Sequence, residues 1–379
     1  MKKILTSLLL VFIAFSLEAR ELRIGLFYES NPSRVSVDYN IGRFTFFSEK
    51  QTYQTLSNKS DKIVFIAEGD KVTAYFNNKT IGTHVWFRLE NNSELNSLRW
   101  SDGKTTRPYL GSFVVYAIKG KLKVVNEISI DKYVEGVIKG EAGYGYELEY
   151  YKVQAVISRT YALHHQKHKK EGFDLCDHTH CQVYKGINDR ENIAQAVQET
   201  SEEVLVDSSL NYINTLFHSN CGGNTVTTDF VWSKKLPCME SVKDTFCLNS
   251  RQAKWKKTLS KNSWIAFLSQ YTGKPASYFS GKKLDFEQVE RKQYYSVGNH
   301  KVRLVDIRKK YKLKSTYFSV YEIGNQIVLI GRGYGHGVGL CQEGGIVMSK
   351  THSYKEILYY YYQDVSIMSI SKVEYYRLF

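Results

Sequence analysis

The most constraining feature of the sequence is a stretch in which glycine occupies every second position from Gly331 to Gly339. Successive side chains of an extended strand point to opposite faces, so this spacing predicts a strand with one bare face. A bare face lets another backbone, or a flat and hydroxyl-rich ligand, approach closely. Neither the dinucleotide-binding nor the P-loop spacing fits, which excludes a phosphate cradle. The alternative is a glycine-rich structural turn, and the strict alternation favours the strand.

The N-terminus has the composition of an export signal. Lys2 and Lys3 precede an apolar run over residues 4–17, and Ser16 or Ala19 offers a small residue for cleavage. We therefore expect a signal peptide over residues 1–19 and an exported protein that is periplasmic or associated with the cell wall. An uncleaved signal segment is the alternative, and it would be the only attachment to a membrane.

The charge of the chain indicates the kind of partner. The formal net charge is +14, and removal of Lys2, Lys3 and Glu18 with the signal leaves +13. Such a balance favours polyanionic partners, which outside the cytoplasm are cell-wall polymers and anionic lipid. No nucleic-acid recognition motif is present, so nucleic acid is not expected as a partner.

The hydrophobic periodicity changes along the chain. Residues 20–106 contain short alternating or β-rich runs separated by turn residues, which predicts a β-rich N-terminal region. From Asp131 the period becomes helical, with a short helix over 131–138 and a longer one over about 147–169. Residues 353–362 predict a final amphipathic helix. The predicted fold class is therefore α+β.

Glu141 lies between the two predicted helices, beside Gly140 and Gly143. A carboxyl group at such a junction can be partly desolvated, which raises its pKa and suits it to general acid–base catalysis. No second acidic residue has a comparable setting, whereas an ordinary glycosidase needs two carboxylates.

The longer predicted helix carries a stripe of two cations, Lys152 and Arg159, that flank Ala155 and Ala162. One interpretation is a solvated basic edge. The other is the wall of a groove, because the alanines leave room for a ligand beside the cations.

Residues 176–181 (CDHTHC) have the ligand types and the tight spacing of a zinc site. His168, at the end of the preceding helix, would complete a set with Cys176, His180 and Cys181. The competing interpretation is a disulfide between Cys176 and Cys181 with the histidines exposed.

A second group of polar residues, 217–223 (FHSNCGG), follows a strand-like run. His218, Ser219 and Cys221 raise the prospect of a nucleophile, but no ordered triad spacing accompanies them. The preferred use of Cys221 is a disulfide to Cys341, which would fasten this loop to the glycine stretch. Cys238 and Cys247 would then pair locally.

A series of stretches in fixed order resembles the SpoIID/LytB family, named for stage II sporulation protein D and the amidase enhancer. The stretches are residues 107–111 (RPYLG), 122–126 (LKVVN), 133–141 (YVEGVIKGE), 152–163 (KVQAVISRTYAL), 181–186 (CQVYKG), 218–223 (HSNCGG), 313–318 (LKSTYF), the glycine stretch and 357–361 (ILYYY). The ordered set covers most of the chain after residue 107, so the resemblance implies a SpoIID-type catalytic domain over 107–379. Ala142 and Gly143 follow Glu141 where many relatives have Met-Pro.

The resemblance implies a peptidoglycan lytic transglycosylase, a carbon–oxygen lyase that cleaves between N-acetylmuramic acid and N-acetylglucosamine and leaves a 1,6-anhydro end. The family's catalytic acid corresponds to Glu141, and the substrate is expected to be a glycan strand stripped of stem peptides. The residues assigned to substrate binding are Lys152, Gln154, Arg159, Tyr161, His218, Ser219, Gly335, His336, Gly337 and Gln342. Some family members hold a zinc ion near the stretch that matches residues 168–181, so a structural zinc is expected there, and none is required for the chemistry. The alternative function is a non-catalytic, wall-binding enhancer of a cell-wall amidase.

Overall fold

The computed structural model describes residues 20–91, 93–232 and 234–378. The predicted signal peptide at 1–19 lies outside the described residues. Within the described ranges, every helix is too short or too polar to cross a bilayer.

Residues 21–129 form two antiparallel sheets. Their strands are β1 (Glu21–Leu26), β2 (Arg34–Ile41), β3 (Phe44–Ser48), β4 (Thr52–Leu56), β5 (Lys62–Glu68), β6 (Lys71–Phe76), β7 (Lys79–His84), β8 (Trp86–Asn91), β9 (Ser97–Ser101), β10 (Thr106–Leu110), β11 (Ser112–Ile118) and β12 (Lys121–Ser129). One sheet has the order β10-β9-β2-β5-β6-β7, and the other is extended at one edge by β13 (Leu175–Cys176) to give β13-β1-β12-β11-β8-β3-β4. The predicted β-rich N-terminal region is confirmed.

Aromatic side chains fill the space between the two sheets. Phe65 of β5 packs on Phe87 of β8 with ring centroids 5.6 Å apart, and Trp100 of β9 packs on Phe113 of β11 at 4.9 Å. All four side chains are fully buried. Burial of such rings on one face of each strand is what holds two sheets together as a sandwich.

The seven-stranded sheet continues directly into the helices. β12 leads into α1 (Ile130–Glu141), which is followed by α2 (Leu148–His164) and α3 (Glu191–Glu199). β1 pairs with both β12 and β13, so strands from both sides of residue 107 share one sheet, and residue 107 itself lies inside β10. The region predicted as N-terminal and the region that resembles the family are therefore one packed body at this sheet.

Helix α2 is enclosed on all sides. Its buried residues run without a break from Val153 to Leu163. A helix buried all round lies inside a protein and does not line its surface. The predicted long helix is confirmed, but it ends at His164 instead of about residue 169, where a short 3-10 turn (Lys169–Glu171) follows.

The C-terminal half contains short elements around a separate α/β unit. They are β14 (Glu203–Val206), β15 (Phe217–His218), α4 (Thr228–Val231), β16 (Lys254–Ser260), α5 (Lys261–Thr272), α6 (Ala276–Ser280), β17 (Tyr294–Val297), β18 (His300–Arg303), α7 (Leu304–Tyr311), β19 (Phe318–Ile323), β20 (Gln326–Arg332), β21 (Leu340–Cys341), α8 (Gln342–Met348), α9 (Tyr354–Tyr361), β22 (Ser366–Ser369) and α10 (Ile370–Arg377). The sheet β16-β20-β19 and helices α5 and α7 enclose a core of their own around Trp264 and Tyr295.

The prediction of one extended, bare-faced strand across the glycine stretch is wrong. Strand β20 ends at Arg332, and Gly333, Gly335, Gly337 and Gly339 all have positive φ. The chain therefore turns repeatedly in conformations that only glycine adopts without strain. Close backbone approach does occur: a Cβ on Gly339 would lie 2.1 Å from the Leu216 carbonyl oxygen. Residues 333–341 are thus folded tightly against residues 216–222.

Candidate functional site

Glu141 is the last residue of α1, and two glycines of that helix determine what lies beside it. Gly136 and Gly140 are four residues apart and so share one helix face. A Cβ on Gly140 would lie 2.0 Å from the Val183 carbonyl oxygen, and one on Gly136 would lie 2.4 Å from that of Gly186. The segment 183–186 therefore rests directly on the backbone of α1. This contact places the Val183 N–H 2.7 Å from Glu141 Oε1, to which it donates a hydrogen bond.

The surroundings raise the pKa of the Glu141 carboxyl above its ordinary value. Burial is the largest cause, and the Val183 N–H and the charge of Lys185 act in the opposite direction. The hydrogen bond fixes one oxygen, while Oε2 accepts no hydrogen bond from the part of the chain that the structure describes. A partly desolvated carboxyl with one oxygen held and one available has the properties of a general acid that then acts as a base.

The predicted metal ligands come together in the loop before segment 183–186. His168, Cys176, His180 and Cys181 place one ligand atom each within 4.8 Å of the others. The separations are 3.3 Å between His168 Nε2 and His180 Nδ1, 3.8 Å between Cys176 Sγ and His180 Nδ1, and 3.7 Å between Cys181 Sγ and His180 Nδ1. Zinc bonds of about 2.0–2.1 Å to nitrogen and about 2.3 Å to sulfur place tetrahedral ligands about 3.3–3.8 Å apart. The four residues therefore fit a zinc ion.

A carboxylate outside this cluster orients one of its histidines. Glu171 Oε1 accepts a hydrogen bond from His168 Nδ1 at 2.7 Å, which leaves His168 Nε2 directed at the cluster. A carboxylate–histidine pair of this kind fixes the tautomer of a metal-binding imidazole. Both cysteines are free thiols, so the competing prediction of a Cys176–Cys181 disulfide is wrong.

Lys152 and Arg159 are both engaged in ion pairs with neighbouring acidic residues. Lys152 Nζ is paired with Glu149 at 2.8 Å and with Glu199 of α3 at 2.7 Å. Arg159 is fully buried, and its guanidinium donates to Asp131 Oδ1 at 2.8 Å and to the Glu203 carbonyl at 3.0 Å. Both the basic-edge and the groove-wall interpretations of Arg159 are wrong, because α3 and β14 cover the face of α2 that carries it.

Gln154 and Tyr161, also predicted to bind substrate, lie in the protein interior. Gln154 Nε2 donates to the Tyr150 hydroxyl at 3.2 Å, and the Tyr161 hydroxyl accepts from Lys167 at 2.9 Å. Tyr150 lies within electrostatic range of Glu141, and its ring is packed beside Gly345 of α8. Tyr150 thus links the neighbourhood of Glu141 to the helix that follows the glycine stretch, a role that sequence reasoning missed.

The remaining predicted residues form a second group around the glycine stretch. His218 is buried and its Nδ1 donates to the Val338 carbonyl at 3.0 Å, with its ring 5.4 Å from that of His336. A Cβ on Gly335 would lie 2.7 Å from the His218 Cβ, and one on Gly337 would lie 2.9 Å from Arg291. These two glycines are therefore required for packing.

His336, Ser219 and Gln342 are the half-buried members of this second group. Burial is the main cause that lowers the pKa of His336 to about 4, so its ring is neutral at pH 7. Its Nδ1 accepts the Val338 N–H at 3.0 Å, which places the ring proton on Nε2. Ser219 accepts the Glu343 N–H on its carbonyl at 3.0 Å, and Gln342 is the first residue of α8. No hydrogen bond or ion pair among residues 20–91, 93–232 and 234–378 joins Glu141 to His336.

Three exposed aromatic side chains accompany these groups and were not singled out from the sequence. Tyr144 lies three residues after Glu141, Trp232 packs on His336 with ring centroids 5.2 Å apart, and Tyr334 lies in the glycine stretch. Each side chain keeps more than 40% of its surface exposed. A flat ring with a polar tip is suited to stacking on a sugar.

A cavity of about 730 Å³ lies elsewhere, between the edge of the sandwich and the start of α1. It is lined by Arg20, Gly111, Glu127 and Lys132, among others. Lys132 and Glu141 are nine residues apart on one helix, which corresponds to about 13 Å along its axis. The cavity is therefore not part of the site around Glu141.

The region that carries the carboxyl site matches a known protein family. Residues 118–206, which contain α1, α2, the cysteine–histidine cluster and Glu141, match the family model described as SpoIID, Stage II sporulation protein. This segment of the chain is therefore similar to the SpoIID domain.

Three relatives extend the comparison beyond this domain. An uncharacterized protein of Brachyspira hyodysenteriae is 27% identical over 362 residues, which are 93% of this chain and 94% of that protein. The amidase enhancer of Bacillus subtilis is 27% identical over 352 residues, 77% of this chain and 48% of its own length. Stage II sporulation protein D of Bacillus subtilis is 27% identical over 271 residues, 64% of this chain and 75% of that protein.

These matches confirm the resemblance to the SpoIID/LytB family. The matched segment is about half the length of the amidase enhancer and extends over nearly the whole of the Brachyspira protein.

Proposed function

We propose that this chain is an exported peptidoglycan lytic transglycosylase in which Glu141 acts first as an acid and then as a base. The observation that carries the proposal is the partly desolvated Glu141 carboxyl, held by the Val183 N–H inside the SpoIID match. The names of the relatives support a role in cell-wall processing, and the net charge of +14 suits a polyanionic wall.

The proposed reaction needs only one carboxyl group. Protonated Glu141 gives its proton to the glycosidic oxygen as the bond from C1 of N-acetylmuramic acid to that oxygen breaks. The carboxylate then takes the proton of the sugar's own 6-hydroxyl while O6 bonds to C1 and closes the 1,6-anhydro ring. No water is consumed and Glu141 ends protonated, so the proton balance closes. A second carboxylate beside the scissile bond is therefore not required, in contrast to an ordinary glycosidase.

Zinc at His168, Cys176, His180 and Cys181 would supply structure, not chemistry. Cys181 is two residues from Val183, whose N–H holds Glu141. An ion bound by this cysteine would fix the start of the segment that rests on Gly140. The four residues would thereby keep the carboxyl oriented without touching the sugar.

Glu141→Gln tests the proposal on purified glycan strands stripped of stem peptides. We expect release of anhydro-muramyl products by the wild type, and a loss of at least about 100-fold in rate for Glu141→Gln, since general acid–base catalysis typically contributes that much. Glu147→Gln is the matched control, because it makes the same change at an exposed position six residues away and should keep the wild-type rate. Equal rates for Glu141→Gln and the wild type would refute the assignment.

A non-catalytic amidase enhancer is the second candidate, because the relative of that name matches 77% of this chain. An enhancer would stimulate a cell-wall amidase on intact sacculi without forming anhydro ends. Glu141→Gln would then stimulate the amidase as well as the wild type does, and neither protein would cleave the stripped strands.

A further inference from the structure

A second cluster of metal-ligand side chains lies outside the site around Glu141. Cys221, Asp244, Cys247 and Cys341 are all buried, and one ligand atom from each lies within 4.8 Å of the others. Cys221 Sγ is 3.4 Å from Cys247 Sγ and 3.3 Å from an Asp244 carboxylate oxygen. All the cysteines of the chain are free thiols, so the predicted disulfides Cys221–Cys341 and Cys238–Cys247 are both wrong in this structure. Cys238 instead contacts the Asp364 carbonyl.

The fold brings these four residues together from distant parts of the chain. Cys221 follows β15, and Cys341 ends β21, which pairs with β15 in parallel. Asp244 and Cys247 come from the loop and the 3-10 turn (Phe246–Asn249) that close over the two strands. The Cys221 N–H also donates to Cys341 Sγ at 3.3 Å. Four donors thus converge on one buried point from three separate segments.

We propose that Cys221, Asp244, Cys247 and Cys341 bind a zinc ion at a site separate from the His168–Cys181 cluster. Three thiolates and one carboxylate are a ligand set that zinc accepts in tetrahedral geometry. Sulfur atoms about 2.3 Å from a tetrahedral zinc ion lie about 3.8 Å apart. Cys221 Sγ and Cys247 Sγ are 3.4 Å apart, and all four ligand atoms lie within 4.8 Å of one another.

Hydrogen bonds orient the carboxylate as they do in metal sites. The Tyr361 hydroxyl donates to Asp244 Oδ2 at 3.0 Å, and the Phe246 N–H donates to Oδ1 at 2.9 Å. Partners of this kind fix the orientation of a coordinating group. Tyr361 is itself fully buried, so water does not compete for this contact.

A buried cation compensates part of the charge of the proposed site. Three thiolates and a carboxylate around a divalent ion leave two negative charges. The guanidinium of Arg291 lies beside the cluster, where it donates to the carbonyls of Cys221 and Asn224. Its Nη1 is buried and makes no hydrogen bond within the described chain. An arginine in this position lowers the cost of burying an anionic metal centre.

A disulfide between Cys221 and Cys247 is the competing use of the same atoms. It would use two of the four side chains and would not explain why Cys341 and Asp244 are buried beside them. A zinc ion uses all four. It would also fasten residues 220–223 to the start of α8, because Cys341 immediately precedes that helix. The proposal concerns the fold around the glycine stretch and does not depend on the reaction at Glu141.

Metal and thiol analysis of the full exported chain, purified without added metal, tests the proposal. We expect two zinc ions per chain by elemental analysis and six reactive thiols after denaturation without reductant. Cys247→Ser and Asp244→Ala should each retain one zinc ion. Cys238→Ser is the matched control, since it removes a buried cysteine outside both clusters and should retain two. Cys181→Ser should lose only the ion of the first cluster.

A second test uses only the wild-type protein, so it does not depend on whether a variant folds. It is an anomalous-scattering map, measured at the zinc edge from crystals of the wild-type protein. A peak surrounded by Cys221, Asp244, Cys247 and Cys341 supports the proposal. Absence of that peak overturns it, whether or not a peak is found at His168–Cys181. Four reactive thiols in place of six, with a Cys221–Cys247 cross-linked peptide, would likewise overturn it in favour of the disulfide.

Discussion

Burial and a backbone hydrogen bond act in opposite directions on the Glu141 carboxyl. Glu141 was predicted to be a catalytic acid because it lies between two predicted helices and beside glycines. The structure adds the groups that determine the ionisation of its carboxyl. Val183 and Lys185 could not be deduced from spacing, because they are more than forty positions further along the chain. The signal that could have found them is the pair Gly136 and Gly140, whose spacing on α1 marks a close backbone approach.

The raised pKa of Glu141 gives a definite pH dependence. The folded protein binds this proton more tightly than the unfolded chain does, so the stabilising contribution is present at acidic pH and is lost as pH rises through the raised pKa. Glu141→Gln cannot ionise, and we expect its melting temperature to exceed that of the wild type increasingly from pH 4 to pH 7. Thermal melts of both proteins across this range are the measurement, and parallel curves would contradict the desolvation of Glu141.

Arg159 has a structural role that its sequence pattern did not reveal. A helical stripe shows which residues share a face, but not which other elements cover that face. Here α3 and β14 cover it, and the Arg159 guanidinium bonds Asp131 and two backbone carbonyls.

Arg159→Ala should therefore act on stability. Removing one partner of a buried ion pair typically costs about 3–5 kcal/mol, and the one-third exposure of Asp131 places this pair at the lower end, about 3 kcal/mol. We expect a loss of this size in the free energy of unfolding by denaturant, whereas Lys152→Ala, which breaks more exposed ion pairs, should cost about 1 kcal/mol or less. A small loss for Arg159→Ala together with a large fall in glycan cleavage would restore the groove interpretation.

At the scale of elements, the site depends on how segment 183–186 rests on α1. Gly140→Ala places a Cβ 2.0 Å from the Val183 carbonyl oxygen, so the segment must move and the hydrogen bond to Glu141 must lengthen. We expect at least about a tenfold loss of activity and a loss of stability of about 1–3 kcal/mol, the usual cost of overpacking. Gly281→Ala is the control, because a Cβ there meets open space. Full activity in Gly140→Ala would show that the Val183 contact is dispensable.

Element types were easier to predict than their ends and their partners. The strands of the N-terminal region, α1 and α2 follow from periodicity, because each buries a regular set of apolar residues. The glycine stretch misled the prediction, since alternation of glycine is equally compatible with a strand and with a chain that turns at every second residue. The positive φ angles of Gly333, Gly335, Gly337 and Gly339 show that the chain turns there.

At the scale of the whole molecule, the α+β class was predictable from the change of period near Asp131. The assembly of the parts was not. Strand β1 reaches across more than one hundred residues to pair with β12, and Cys341 returns to Cys221 through the strand pair β15–β21. Such contacts join segments that carry no common local signal. The cluster of His168, Cys176, His180 and Cys181 was predictable because three of its members are close in sequence, whereas the convergence of Cys221, Asp244, Cys247 and Cys341 appeared only in three dimensions.

Cleavage of stripped glycan strands in water enriched in oxygen-18 tests the proposed transglycosylase reaction most directly. The wild type should release anhydro-muramyl ends that are lighter by one water than hydrolysed ends and free of the label, and Glu141→Gln should release none. Labelled reducing ends from the wild type would contradict the transglycosylase reaction and make this protein a hydrolase. Intact strands from the wild type would leave the amidase enhancer as its function.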